Sequence, residues 1–331
     1  MKARPIQPRP RAASSKFAKL DLSAVHTFPI AERQSKVRHE QLAQPHKPGA
    51  SFASFMGSLP HVLKAAELQE LVGHILDAHR RSRPVIVMMG AHVIKCGLAP
   101  IIIDLMHHQV ITCVALNGAG AIHDVEMAYW GQTSEEVAEG LQDGSFGMAQ
   151  ETGELLNGAA KEAAATEDMG LGEALGKRIV ADAPPHRQCS ILASGYHLSV
   201  PVTVHVAIGT DIVHQHPSAD GAAIGEASFR DFRLFAHQVS GIGDGGVVLN
   251  LGSTVILPEV LLKALTVARN LGQPAFGFVT ANFDMIQHYR PRVNVVERPT
   301  LQGGKGYLFT GHHEIMLPLL AAAIKEKLTR P

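Results

Sequence analysis

Apolar, β-branched runs alternate with helical patterns along the chain from about residue 60 onward. The runs cover residues 85–89, 111–116, 202–208, 247–251 and 275–279, and each ends in small polar residues. This alternation is typical of a parallel sheet whose strands are connected by crossover helices. We therefore predict an α/β protein with a doubly wound, mainly parallel sheet of Rossmann-like type and helices on both faces.

Helical patterns fill the spaces between these runs. They cover residues 96–107, 134–175, 257–270 and 314–328. We expect a single α/β nucleotide-binding domain over residues 51–331. Residues 1–50 are expected to form a mobile basic arm and lead-in, because six basic residues and three prolines precede the first acid, Asp21.

Small and polar residues follow the predicted strands. Since the carboxyl ends of parallel strands lie along one edge of a sheet, a ligand is expected in the crevice beyond that edge. Glycines there let a ligand approach the backbone, and helix N-termini offer amides to a phosphate. The residues predicted at this edge are 90–93, 117–120, 210–211, 252–254 and 280–284.

Composition narrows the class of partner. The chain has 331 residues, with 30 Lys plus Arg against 30 Asp plus Glu, so it lacks the positive charge of a dedicated nucleic-acid-binding protein. It contains no apolar run of the ~18 residues needed to span a bilayer. Three cysteines without a CxxC spacing argue against a disulfide framework, and we expect a cytoplasmic location. Small molecules are the expected ligands.

Five segments, taken in order and spacing, resemble the deoxyhypusine synthase family. Members of that family are NAD-dependent enzymes that move the aminobutyl group of spermidine onto a lysine of a translation factor. The match covers most of residues 60–328. The segments are Met89–Gly97, Asn117–Asp124, Asp220–Glu226, Asn250–Val255 and His313–Leu320.

The resemblance implies a divergent, transferase-like enzyme that binds NAD and a cationic amine or polyamine. Acids that match the family's amine-binding acids, together with one histidine, are the implied catalytic residues: Asp124, Asp220, Glu226 and His313. Loops at three strand ends are the implied NAD contacts: Gly90, Ala91, His92, Asn117, Gly118, Ala119, Gly120, Gly252, Ser253 and Thr254. The family also implies a homo-oligomer, a tetramer being the expected size, with Trp130 in the core or at the interface.

Two hallmark groups of the family are missing. Counted without gaps from Pro318, the position of the family's covalent lysine falls at Pro299, and only a shifted alignment brings Lys305 there. The family's Lys-His pair falls at Leu257–Pro258. Imine formation needs a lysine, whereas NAD binding by small residues does not. We therefore expect altered chemistry with the nucleotide pocket kept.

A cluster of histidines and acids allows a different function. His205, Asp211, His214 and His216 lie within 12 positions after one predicted strand, and such residues are typical ligands of a divalent metal. A bound metal that activates water would make the protein a hydrolase. The chain has 19 histidines, so a cluster of solvated histidines is the competing interpretation. A non-catalytic nucleotide-binding protein is the third alternative.

Overall fold

The computed structural model describes residues 15–328, which form two units divided between Gln41 and Leu42. The described part of the first unit, residues 15–41, contains three 3₁₀ turns and no fully buried side chain. The first fourteen residues of the predicted basic arm lie outside the described residues.

The second unit is built on one six-stranded sheet in which every pair of neighbouring strands is parallel. The strand order is β3-β2-β1-β4-β5-β6. The chain therefore winds outward from β1 in one direction and then, from β4, in the other. The strands are β1 (Val85–Met89), β2 (Cys113–Asn117), β3 (Val202–His205), β4 (Val247–Leu251), β5 (Val279–Asp284) and β6 (Lys305–Thr310).

Helices precede, connect and follow the strands. They are α1 (Phe52–Ser58), α2 (Leu63–Arg80), α3 (His92–Lys95), α4 (Ala99–His107), α5 (Gly118–Trp130), α6 (Val137–Asp143), α7 (Gln150–Ala164), α8 (Leu171–Asp182), α9 (Ile191–Leu198), α10 (Gly221–Ser240), α11 (Ile256–Asn270) and α12 (His313–Leu328). A π-helical segment covers Pro291–Glu297. No helix of the described residues is long and apolar enough to cross a membrane.

Strand β1 shows why both faces of the sheet are covered. All five of its residues are buried, and successive side chains of a strand point to opposite faces. Val85, Val87 and Met89 belong to one apolar core, and Ile86 and Met88 belong to another. The doubly wound α/β fold with helices on both faces, predicted from the alternating pattern, is confirmed.

At the β5–β6 end of the sheet, one predicted strand has the wrong bounds and one strand was not predicted. The fifth strand is Val279–Asp284, so the segment 275–279 predicted as a strand lies mostly before it. The chain turns sharply there, with the amide of Ala275 bonded to the carbonyl of Gln273 and Gly277 at φ +67°. Strand β6 was not predicted, because its start follows two glycines and only two of its six residues, Tyr307 and Phe309, are fully buried.

Two carboxylates are completely buried and join helices to the rest of the core. Asp231 on α10 accepts hydrogen bonds from the amides of Gly172 and Val204, both at 2.8 Å. Asp124 on α5 accepts from Ser190 Oγ at 2.5 Å and from the amide of Ile191 at 2.7 Å. Burial raises the pKa of Asp231 to about 7 and that of Asp124 to about 6. Asp231 thus joins α8 and α10 to β3, and Asp124 joins the start of α9 to α5.

Candidate functional site

The carboxyl edge of the sheet between β1 and β4 is closely packed. At Gly90 a Cβ atom would lie 2.6 Å from the carbonyl oxygen of Gly252. Gly252 has φ +68°, and a Cβ there would lie 2.4 Å from Nε2 of His313. Only glycine fits at these two positions, because a side chain would collide with backbone in one case and with a buried imidazole in the other.

His313 is buried at this edge, with 2% of its surface exposed. Its Nδ1 has no hydrogen-bond partner among the described residues, and its ring centroid lies 5.9 Å from that of His92. Burial lowers the pKa of His313, although Asp284 opposes that effect. His313 is therefore neutral at pH 7, and its orphaned nitrogen can bond to a ligand at the β1–β4 edge.

The loop after β4 is held by buried amides. Asn250 donates to the carbonyl of Ser253 at 2.9 Å and to Asn282 Oδ1 at 2.7 Å. Ser253 Oγ accepts from the amide of Leu257 at 3.2 Å, in the first turn of α11. The residues predicted to contact NAD here, 252–254, therefore have a fixed backbone.

The N-terminus of α5 is occupied by the protein's own side chains. Asn117 Oδ1 accepts from the amide of Gly120 at 3.0 Å. The carboxylate of Asp211 accepts from the amide of Ala119 and lies so close to Gly118 that a Cβ there would be 1.9 Å from Oδ2. These first-turn amides thus already have acceptors within the protein, and a pyrophosphate there would face the Asp211 carboxylate. The NAD contacts predicted at 117–120 stay a prediction.

A cavity of about 590 Å³ opens beside α5, next to the carboxyl end of β2. Four carboxylates and one ammonium group line it, so its charge is negative. Those five residues are Lys95, Glu126, Glu135, Glu151 and Asp211. His123, Trp130, Thr133, Phe146 and Thr152 are also among the lining residues. A negative cavity with aromatic walls suits a small cationic ligand.

Glu126 and His123 face each other one turn apart on α5, and both side chains are about 15% exposed. Thr133 Oγ1 donates a short hydrogen bond to Glu126 Oε2, and Thr152 Oγ1 donates to Oε1 at 3.1 Å. His123 Nδ1 lies 2.6 Å from Thr133 Oγ1. Burial raises the pKa of Glu126, but its neighbours His123, Thr133 and Thr152 outweigh burial and hold the pKa below its usual value.

The segment 131–149 forms one wall of the cavity, and polar contacts fix it. The amide of Gly147 donates to both carboxylate oxygens of Glu135 at 3.0 Å. Gln215 donates to the carbonyl of Phe146 at 2.8 Å, and His216 Nε2 lies 2.7 Å from the carbonyl of Gly147. The short segment that follows Asp211 thus also holds the wall.

The four residues predicted as catalytic occupy separate places. Asp124 is buried against the start of α9, and Asp220 caps α10 by accepting from the amide of Ala222 at 3.0 Å. Glu226 is exposed and pairs with Arg230 at 2.9 Å. His313 lies at the β1–β4 edge. Among the described residues no hydrogen bond or ion pair joins any two of these four side chains, and none of the four lines the 590 Å³ cavity.

The histidines and the acid of the metal alternative do not converge. His205 is buried beside Phe235 with Nε2 at 2.9 Å from Thr203 Oγ1, and burial lowers its pKa to about 3. His214 accepts from the amide of Asp211 at 3.2 Å, while His216 contacts the wall segment. The part of the chain that the structure describes contains no group of three or more residues that could hold a metal ion. The structure does not support the metal site.

Lys305 lies on the wrong side of the sheet to replace the missing lysine. It is the first residue of β6, so it stands at the amino edge, opposite the edge where ligands are expected. Its ammonium group pairs with Glu70 on α2 and lies 5.3 Å from the ring centroid of Tyr307. Lys95, by contrast, lines the cavity.

Sequence reasoning missed His123 and Glu126 as a site. Asp124 and Glu126 are two residues apart and do not share a helix face, so they were not interpreted as a pair. The spacing of His123 and Glu126, three residues apart directly after a strand end, was the available signal. Thr133 and Thr152 could not be found this way, because they come from later segments.

Similar folds occur among solved structures, although no protein-family model and no curated protein sequence matches the chain. A candidate LOR/SDH protein from Methanococcus maripaludis S2 has a TM-score of 0.52 at 14% identity, over 80% of this chain and 71% of that one. AgrE in a ternary complex with ornithine and NAD+ has a TM-score of 0.53 at 12% identity. The match covers 80% of this chain and 33% of AgrE, so the chain spans about a third of that protein.

A candidate deoxyhypusine synthase from Entamoeba histolytica is also similar, with a TM-score of 0.51 at 9% identity. That match covers 86% of this chain and 96% of the other. The resemblance to deoxyhypusine synthase is thereby confirmed at the level of the fold, and the divergence in sequence is large. The homo-oligomer and the cytoplasmic location stay predictions.

Proposed function

We propose that the protein binds a small cationic amine in the cavity beside α5 and NAD along the β1–β4 edge, as a divergent deoxyhypusine synthase-like protein with altered chemistry. The observation that carries the proposal is the charge of the cavity. Four carboxylates and a single ammonium group line about 590 Å³ at the ligand-binding edge of a Rossmann-like sheet. A cation with several amino groups would balance this charge.

The carboxylates that line the cavity differ in their surroundings. The hydrogen bonds to Glu126 keep the pKa of that carboxyl low despite its burial. Glu135 accepts from the amide of Gly147, whereas burial raises the pKa of Asp211 against the opposing effects of His214 and the amide of Ala119. Trp130, with 40% of its surface exposed, and Phe146 offer ring faces for the alkyl chain and the charge of an amine.

NAD is proposed at the loops 90–92 and 252–254 for two reasons. The crevice beside the strand-order reversal, here between β1 and β4, is where such sheets bind nucleotides, and AgrE, which shares the fold, is described in complex with NAD+. The orphaned Nδ1 of His313 gives a ligand a buried polar partner there. The cofactor's pyrophosphate is proposed away from α5, since Asp211 and Asn117 use the amides of that helix.

We expect spermidine to bind the full chain and Glu126→Gln to weaken that binding about tenfold, because the variant removes one buried negative charge from the cavity. Isothermal calorimetry at pH 7.5 measures the affinity. Glu167→Gln is the matched control, since Glu167 is exposed and lies outside the cavity lining. Absence of heat with the wild-type protein, at spermidine concentrations up to the millimolar range, would remove the amine from the proposal.

No covalent imine is expected at Lys305 when the protein is incubated with spermidine and NAD and then reduced with borohydride. Its position at the amino edge and its ion pair with Glu70 keep its nitrogen away from the proposed ligand sites. Intact-mass analysis detects an adduct, and peptide mapping locates it. An adduct on Lys305 would contradict the placement of the site, and one on Lys95 would show that lysine chemistry is retained in the cavity.

A further inference from the structure

We propose that His123 is the proton acceptor of the cavity, and that Glu126 and Thr133 hold its imidazole in the tautomer that presents Nε2 to a ligand. The proposal deepens the proposed function, since it rests on an amine reaching this nitrogen. His123 is the catalytic residue in this arrangement, and Glu126 and Thr133 are positioning residues.

The direction of the hydrogen bonds assigns the tautomer. Glu126 is ionised at neutral pH, because its pKa lies below the usual value, so its carboxylate oxygens can only accept. The single hydroxyl proton of Thr133 is therefore donated to Glu126 Oε2. Thr133 Oγ1 then accepts from His123 Nδ1, 2.6 Å away, so in the neutral form of the ring the proton is on that nitrogen. Nε2 is left with a lone pair.

Nε2 of His123 is available to a ligand. It has no hydrogen-bond partner among the described residues, whereas Nδ1 is engaged, and the side chain lines the cavity while staying mostly buried. The carboxylates of Glu126, Glu135 and Asp211 are each committed to donors of the protein. In the neutral form of its ring, His123 thus presents to the cavity an imidazole nitrogen with a free lone pair.

The step that this geometry supports is a proton transfer. The N–H bond of the ligand's ammonium group breaks, and a bond forms between that proton and Nε2. The electron pair stays on the ligand nitrogen, which becomes a neutral amine able to act as a nucleophile. The positive charge moves to the imidazole, where the Glu126 carboxylate, 3.7 Å from Nδ1, stabilises it.

The tautomer is testable without any ligand. In ¹⁵N-histidine NMR of the full chain at neutral pH, with His123→Gln to assign the signals, we expect His123 protonated at Nδ1 and not at Nε2. Thr133→Val removes the acceptor of the Nδ1 proton, so this tautomer should be lost, and Thr133→Ser should restore it. Thr152→Val is the matched control, because it removes a donor to Glu126 but leaves Thr133 in contact with His123. A wild-type ring protonated at Nε2, or an unchanged tautomer in Thr133→Val, would overturn the proposed hydrogen-bond chain from His123 through Thr133 to Glu126.

The second measurement adds spermidine to the labelled protein while calorimetry follows its binding. We expect the Nε2 resonance of His123 to shift on binding and the Nδ1 resonance to change little. Binding with no shift at Nε2 would overturn the proton-acceptor role and leave the amine site intact. If spermidine does not bind, both the amine-binding function and the proton-acceptor role are wrong. The hydrogen-bond chain through Thr133 is still tested separately, by the tautomer of the free protein.

Discussion

The substitution Gly172→Ala is expected to destabilise the protein by roughly 3 kcal/mol, a large part of a typical domain's stability. Gly172 lies in the first turn of α8, and a Cβ there would be 1.8 Å from the carbonyl oxygen of Val202 at the start of β3. The new Cβ atom and the Val202 carbonyl are both fixed by the backbone, so no side-chain rotation can separate them. We therefore expect α8 to move away from the sheet. Movement of α8 would also break the hydrogen bond from Gly172 to Asp231. Denaturant unfolding, followed by circular dichroism, measures the change.

Gly225→Ala is the matched control for that experiment. Gly225 lies in the interior of α10, and no atom lies within 4 Å of the position of its Cβ. Alanine is the better helix former, so a gain of about 0.5–1 kcal/mol is expected. Equal stability of the two alanine variants would mean that the close approach of α8 to β3 is absent from the folded protein.

The difference in unfolding free energy between the wild-type protein and Asp231→Asn is expected to vary with pH. The pKa of Asp231 is about 7 in the folded state, raised by burial, and close to 3.8 in the unfolded chain. The protonated carboxyl is therefore favoured by folding. Its contribution is fully present below about pH 4 and is lost as the pH rises through 7, by an amount on the order of 4 kcal/mol.

Asparagine cannot ionise, so Asp231→Asn should be relatively more stable at pH 8 than at pH 4 when compared with the wild-type protein. Its carbonyl oxygen can still accept from Gly172 and Val204. Asp124 and His205 titrate in both proteins and cancel in the difference. Urea unfolding at several pH values gives the curve, and Asp168→Asn, at an exposed carboxylate, should run parallel to the wild type. A difference for Asp231→Asn that is constant from pH 4 to 8 would show that Asp231 does not titrate in this range.

The fold was predictable because local pattern and global topology agree over most of the chain. The runs at β1 and β4 were placed at their observed bounds, since strands buried on both faces are continuously apolar. Strand β6 was not predicted because it begins with Lys305 and Gly306. These residues follow Gly303 and Gly304 directly, and such a stretch is typical of a loop. Its burial is decided by the π-helical segment shortly before it and by α2, which packs on it from a distant part of the sequence.

The site was less predictable than the fold. The strand-end loops could be located, because parallel strands place them at one edge. Whether a loop is open to a ligand depends on side chains from elsewhere, as at Gly118, where the Asp211 carboxylate occupies the space. The hydrogen-bond donors to Glu126 likewise come from two later segments, which contribute Thr133 and Thr152. Both residues lie outside α5, so no periodic sequence pattern could reveal the contacts.

Polar contacts join the wall segment 131–149 to residues 215–216, and we expect them to influence how quickly a ligand is exchanged. Gln215 and His216 contact the adjacent carbonyls of Phe146 and Gly147 in that wall. They follow Asp211, another residue of the cavity lining, by only a few positions. We therefore expect a movement of the wall segment to displace the segment that carries Asp211 as well. Entry and release then share one barrier, so that residence time and accessibility change together when either contact is broken.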